Sequence, residues 1–111
     1  MKYLLLIYED DADRVANMDQ RMPNCAAYAE AMKKAGIYVA GERLRAISSA
    51  ATVRVADGKT HVVDGPYAEA KEQLGGFHLI DVPDLDSALT WAARCPGATR
   101  GRVEVRAVWP T

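Results

Sequence analysis

The run Tyr3-Leu4-Leu5-Leu6-Ile7-Tyr8 is apolar without a break, and it limits the architecture of this chain more than any other feature. Successive side chains of a strand point to opposite faces, so an uninterrupted apolar strand belongs in a sheet covered on both sides. The run is far too short to cross a bilayer or to serve as a signal-peptide core, and Glu9, Asp10 and Asp11 follow at once. It therefore reads as a buried strand, and Cys25 and Cys95, with no partner at metal-ligand or CxxC spacing, read as reduced cytosolic thiols and so suggest a cytoplasmic protein. With 111 residues, half of them hydrophobic, the chain has the size of one domain, 1–111, with a modest core. No composition shift, repeat or low-complexity segment divides it.

The remaining pattern alternates helices and strands. The acidic segment from Glu9 to Met22 reads as a loop, with a helical turn leading to Asp19. From Pro23 onward, Cys25, Tyr28, Ala29 and Met32 fall at helical spacing and define an inner stripe; Gly36 ends the helix and Lys33 and Lys34 suit its last turn. Ile37-Tyr38-Val39 is extended. Thr52–Val55 and Thr60–Asp64 flank Asp57-Gly58, a dipeptide that tolerates positive φ at both positions and so predicts a two-residue type I′ hairpin. That register sets Arg54 opposite His61 and Val53 opposite Val62, and puts Val53, Val55, Val62 and Asp64 on one face. Phe77–Val82 is a further strand. Asp84 or Asp86 then caps a helix with Leu85, Ala88, Leu89 and Ala92 inward, and Val103, Val105, Ala107 and Trp109 point inward from a last strand.

Strand, helix, strand, hairpin, strand, helix, strand is an α+β plan: a ferredoxin-like split βαβ with an added β-hairpin. Two helices cover one face of such a sheet. The apolar first strand therefore predicts that a second copy covers the other face, giving a homodimer.

Between the hairpin and the next strand lies Asp64-Gly65-Pro66-Tyr67-Ala68-Glu69-Ala70-Lys71-Glu72-Gln73-Leu74-Gly75-Gly76-Phe77, which concentrates a turn, ionisable side chains and a double glycine. This run resembles the signature of the DGPF (DGPFAETKE) proteins, a bacterial branch of the YCII-like superfamily. The likeness continues in Met1–Tyr8, in Leu79–Asp86, in Trp91–Pro96 and in Val103–Arg106, so it spans nearly the whole chain. It departs from the pattern at Tyr67, where Phe is usual, at Ala70, where Thr is common, and at His78, where Tyr is frequent. The resemblance implies the dimeric α/β-barrel form of the fold and a functional link to sigma factors of the extracytoplasmic-function type. Catalytic members of the wider superfamily share a His and Asp pair. Asp64 corresponds to that Asp, whereas this chain has no His before His61.

Two readings of function stay open. In one, the protein is a regulatory or stress-linked dimer that binds a small organic ligand. In the other, it is a cofactor-free enzyme with Asp64 as general base, because a carboxylate turned toward apolar side chains loses water and becomes a stronger base. Tyr8, Tyr67, Glu69, Lys71, Glu72 and His78 are the candidate ligand-binding groups, with Lys71 suited to an anion and Glu69 or Glu72 to a proton. Each also has a plain structural explanation: Asp64 ends a strand, Glu69 to Glu72 form a solvated turn, and Tyr8 and His78 pack. The two cysteines and two histidines lack metal-ligand spacing, no glycine motif of a nucleotide site opens a helix, and a net charge of −1 offers no surface to a phosphate backbone. Neither a metal, a cofactor nor direct nucleic-acid contact is expected.

Overall fold

The computed structural model describes residues 1–110. In chain order the elements are β1 (Lys2–Asp10), α1 (Asp11–Ala16), α2 (Met18–Lys34), β2 (Tyr38–Arg43), β3 (Ala51–Ala56), β4 (Lys59–Asp64), β5 (Glu72–Asp81), α3 (Leu85–Arg94) and β6 (Arg102–Ala107). Four strands form an antiparallel sheet in the order β2-β5-β1-β6, and β3 and β4 pair only with each other. This is the split βαβ topology expected from the pattern, with the apolar β1 in an interior position.

The alternation along β1 divides the sheet. Tyr3 and Leu5 face the helices and are buried with Ile80, Tyr28, Met32, Ala88 and Cys95. Leu5, Met32 and Ile80 are completely sealed. Leu4 and Leu6 pair with Leu79 and Phe77 on the opposite face, where all four are only partly covered. Within one chain, then, the helices cover one side of the sheet and leave an apolar stripe on the other.

The acidic segment departs from the loop reading. Asp10 accepts a hydrogen bond from the Asp13 amide at 3.0 Å and caps α1, and Asn17 separates α1 from α2. Because α2 starts at Met18, Pro23 lies inside the helix instead of opening it. Its missing N–H leaves the Asp19 carbonyl without a helical partner. Of the expected stripe, Tyr28 and Met32 are buried while Cys25 and Ala29 are only partly covered, and Gly36, at φ +74°, ends the turn after the helix.

At the other helix, Asp84 is the cap, accepting from the Ser87 amide at 2.8 Å. Ala88 and Ala92 are buried while Leu85 and Leu89 are half exposed, so the inward stripe is narrower than the spacing suggests. Small side chains on that face let α3 lie close to the sheet. Val103 and Val105 point inward, but β6 ends at Ala107, and Trp109 beyond it is 88% exposed instead of buried.

The hairpin has the expected register, Arg54 opposite His61 and Val53 opposite Val62, with φ +52° at Asp57 and +73° at Gly58. Its environment is not the expected one. Val53, Val55, Val62 and Val63 are each at least 60% exposed, because β3 and β4 project from the body and pack against no other strand. Two hydrogen bonds hold the arm at its base, Gly65 N–H to the Ala50 carbonyl at 2.8 Å and the Thr52 hydroxyl to the Gly65 carbonyl at 2.9 Å. The molecule is correspondingly flat, 46 × 38 × 18 Å.

Candidate functional site

Between α2 and the sheet lies a cavity of about 600 Å³, a size suited to a small organic molecule. Its floor is the double glycine of β5. A Cβ on Gly75 would lie 2.6 Å from Arg14 Nε, and one on Gly76 would lie 2.8 Å from the Glu42 carbonyl oxygen. Larger residues would therefore collide with α1 and β2. Their presence also coincides with a bulge, because the β1–β5 register shifts between Ile7 and Tyr8. Tyr28 and Tyr38 supply aromatic walls, and Met18 and Met22 line the side formed by α2.

Arg14 holds the frame together. Almost fully buried, it donates to the Leu44 carbonyl at 2.9 Å and the Arg45 carbonyl at 3.3 Å, and pairs with Asp11 at 3.4 Å. It thus ties α1 to the segment that follows β2. At the same end of the cavity is Glu9, itself buried. Its Oε1 accepts from Arg21 at 2.9 Å and lies 3.4 Å from Arg100 Nε. Oε2 makes no hydrogen bond among the described residues and lies beside Gly97, where a Cβ would come within 3.4 Å of it. A buried carboxylate needs such partners, and they reach one oxygen only, where Arg21 supplies a hydrogen bond and Arg100 adds a nearby charge.

Toward the other end, His78 stands on the helix-facing side of β5, opposite Leu5. Its ring meets Tyr28 edge-on, with centroids 5.5 Å apart, and lies 6.4 Å from Tyr38. Burial lowers its pKa below the ordinary histidine value, favouring the neutral ring. Nδ1 is sealed against Gly41 without a hydrogen-bond partner. The Tyr28 hydroxyl donates to the Trp91 carbonyl at 2.6 Å, and burial, first among the causes, raises its pKa far above the ordinary phenol range. Burial likewise pushes the Cys95 thiol up, so neither Tyr28 nor Cys95 is disposed to ionise.

The sequence-derived candidates do not gather in one place. His78 lines this cavity. Tyr8, Lys71 and Glu72 line an open depression of about 990 Å³ on the other side of β1, where the Tyr8 hydroxyl reaches Glu104 at 3.4 Å. Asp64, Tyr67 and Glu69 are exposed, Tyr67 to 91%, and line neither hollow. Asp64 keeps the predicted parity but points to an uncovered face, which corrects the expectation of an apolar surrounding. Glu72 belongs to a strand, while Glu69 and Lys71 remain in the preceding loop. That loop is pinned by the buried Gln73, whose amide donates to the carbonyls of Ala68 and Ala70, both at 2.7 Å.

Glu9, Arg14, Arg21 and Arg100 were not foreseen as site residues. Three of them lie in or beside the acidic segment, and only the partnering of Glu9 by arginines distant in sequence shows their role. No group of three or more His, Cys, Asp or Glu side chains suited to a metal occurs among the described residues. No described helix is long and apolar enough to cross a membrane.

An antiparallel α+β sheet with a helix-covered cavity defines the class of protein. Within it, the chain belongs to the YCII-related family, whose domain model matches residues 1–111. It is 40% identical over 112 residues to an uncharacterised protein of Rhizobium meliloti (strain 1021), covering 96% of this chain and 90% of that protein. Among solved structures it is similar to the 5-chloro-2-hydroxyhydroquinone dehydrochlorinase of Burkholderia phenoliruptrix AC1100 in complex with 2,5-dihydroxybenzoquinone. The TM-score is 0.58 at 15% identity, over 98% of this chain and 94% of that one, a likeness of fold.

Proposed function

We propose that this protein is a cytoplasmic homodimer of the bacterial DGPF branch that binds a small organic ligand in the cavity beneath α2, in a pathway linked to an extracytoplasmic-function sigma factor. The cavity carries the ligand reading: about 600 Å³ lies over a glycine floor between two tyrosines, a histidine whose burial favours the neutral ring, and a buried carboxylate. The enzyme of similar fold was solved with a small oxygenated ring compound, which suits a ligand of this size. The partly covered Leu4, Leu6, Phe77 and Leu79, together with the bare valines of the hairpin, support a second copy as the other cover of the sheet. The DGPF placement and the sigma-factor link rest on the signature run from Asp64 to Phe77.

The test is calorimetric titration of the purified protein with monocyclic aromatic compounds, followed by Tyr28→Ala. Saturable binding that weakens about tenfold or more in the variant is the expected outcome, on the scale of a lost aromatic wall. Binding that ignores the substitution would move the site elsewhere.

In the enzymatic alternative, Asp64 serves as general base, with Lys71 or Tyr67 steadying developing negative charge. A second copy would have to cover the hairpin face for Asp64 to meet a substrate. Unchanged turnover in Asp64→Asn would remove it from that role.

A further inference from the structure

The two ends of the cavity offer opposite hydrogen-bonding groups, and their polarity can be read from what surrounds them. Gly41 approaches His78 so closely that an added Cβ would overlap Nδ1. The α-hydrogen that replaces this Cβ points at Nδ1, a place for a lone pair and not for an N–H, which would face a C–H with no acceptor. The neutral ring therefore carries its proton on Nε2. No hydrogen bond engages Nε2 among the described residues, and it is absent from the sealed, unpartnered nitrogens that include Nδ1. His78 is thus a donor into the cavity.

Glu9 is the complement. Arg21 donates to Oε1, Arg100 Nε lies 3.4 Å from it as an ion pair without a hydrogen bond, and Oε2 remains open beside Gly97. An ionised carboxylate only accepts, so Oε2 calls for an O–H or N–H. Leu5, the neighbour of His78 across β1, lies four residues from Glu9, about 13 Å along the strand. With both side chains reaching inward over Gly75 and Gly76, the gap suits one substituted ring.

Building on the small-molecule reading, we infer that the cavity selects monocyclic compounds carrying a hydroxyl that donates to Glu9 Oε2 and, across the ring, a carbonyl-type oxygen that accepts from His78 Nε2. Para-hydroxyaryl ketones and related hydroxyenones have this chemistry.

Three probes, titrated against the whole chain at neutral pH, separate the terms. 4-Hydroxyacetophenone has both groups, 4-ethylphenol lacks the acceptor and 4-methoxyacetophenone lacks the donor. The first is expected to bind best, by about 2- to 10-fold over 4-ethylphenol and by about 10- to 100-fold over 4-methoxyacetophenone, the ranges for neutral and charge-assisted hydrogen bonds. His78→Phe keeps an aromatic ring and is expected to bring the first ratio to about one while leaving the second in place. Glu9→Gln is expected to shrink the second ratio. Equal binding of all three probes by the wild-type protein overturns the donor–acceptor assignment and leaves the ligand-binding reading standing. No binding of any probe overturns both. If Glu9→Gln fails to fold, the wild-type ratios and His78→Phe still decide the matter.

Discussion

Gly75 shows how a single residue can be fixed by a neighbour it never bonds. Nothing in its backbone angle demands glycine; what matters is the room taken by the Arg14 side chain, with Nε and Cδ at 2.6 and 2.8 Å from the absent Cβ. Gly75→Ala is expected to push the guanidinium from the Leu44 and Arg45 carbonyls and to cost about 1–3 kcal/mol, the range for overpacking a filled interior. Urea denaturation checks this, and an unchanged midpoint would refute it. The sequence displays the glycine pair openly but not its reason, because Arg14 sits in an acidic stretch that reads as solvated surface. The same distance in sequence hid Glu9, whose arginine partners lie 12 and 91 positions further on. Periodicity reports a residue's own element and is silent about a partner that arrives from another.

At the scale of elements, what can be read from sequence depends on how local the cause is. The hairpin register follows from Asp57-Gly58 alone and was legible to the residue pair. Whether its valines are covered depends on packing that no local pattern encodes, and there the expectation failed. α3 is similar: its cap was foreseeable, while the exposure of Leu85 and Leu89 depends on the tilt of the helix on the sheet. The Asp84 cap has a definite pH signature. The Ser87 amide, bonded to its carboxylate, holds the Asp84 pKa below the ordinary value. The cap's contribution is therefore complete above the ordinary aspartate range and fades as pH falls through the lowered value. The difference in melting temperature between wild type and Asp84→Ala is expected to be largest near neutrality and to close in strong acid. A gap that persists there would show that the carboxylate's charge is not the source.

The exposed arm makes a separate statement about β3 and β4. Replacing both Val53 and Val62 with Thr removes apolar surface from a face that touches nothing within the chain. Thermal stability measured at high dilution, where a dimer dissociates, is expected to change by less than about 0.5 kcal/mol, as for surface substitutions generally. Sedimentation velocity at higher concentration is expected to show a shift from dimer toward monomer. A variant that remains as dimeric as the wild type would exclude this face from the contact between copies.

Across the whole molecule, His78 couples the cavity to folding. Its pKa is lowered in the folded state, so the unfolded chain binds the proton more readily. Stability due to this residue is thus unaffected above about pH 6.5, the unperturbed value, and declines as pH falls below it, levelling off beneath the lowered folded value. Urea midpoints at pH 7.5 and pH 5 are expected to differ more for the wild type than for His78→Phe. Equal pH dependence in the two proteins would mean that the imidazole is not kept neutral by its surroundings. The overall plan was readable because it rests on the order of strands and helices along the chain, which the sheet order β2-β5-β1-β6 follows. The cavity was not, since residues of five elements, β1, α1, α2, β2 and β5, and of the segment after α3 bound it together.

The arm invites a different kind of conclusion, one about change over generations. Its strands satisfy their ladder with each other, and the bonds of Gly65 to Ala50 and Thr52 at its base likewise join one side of the arm to the other. Mutations in Val53–Val62 are consequently filtered by whatever the arm touches outside the chain and hardly at all by the requirements of the fold. Such a segment can diverge quickly while the glycine-floored sheet stays fixed, giving duplicated copies a route to new partners without reinventing the scaffold.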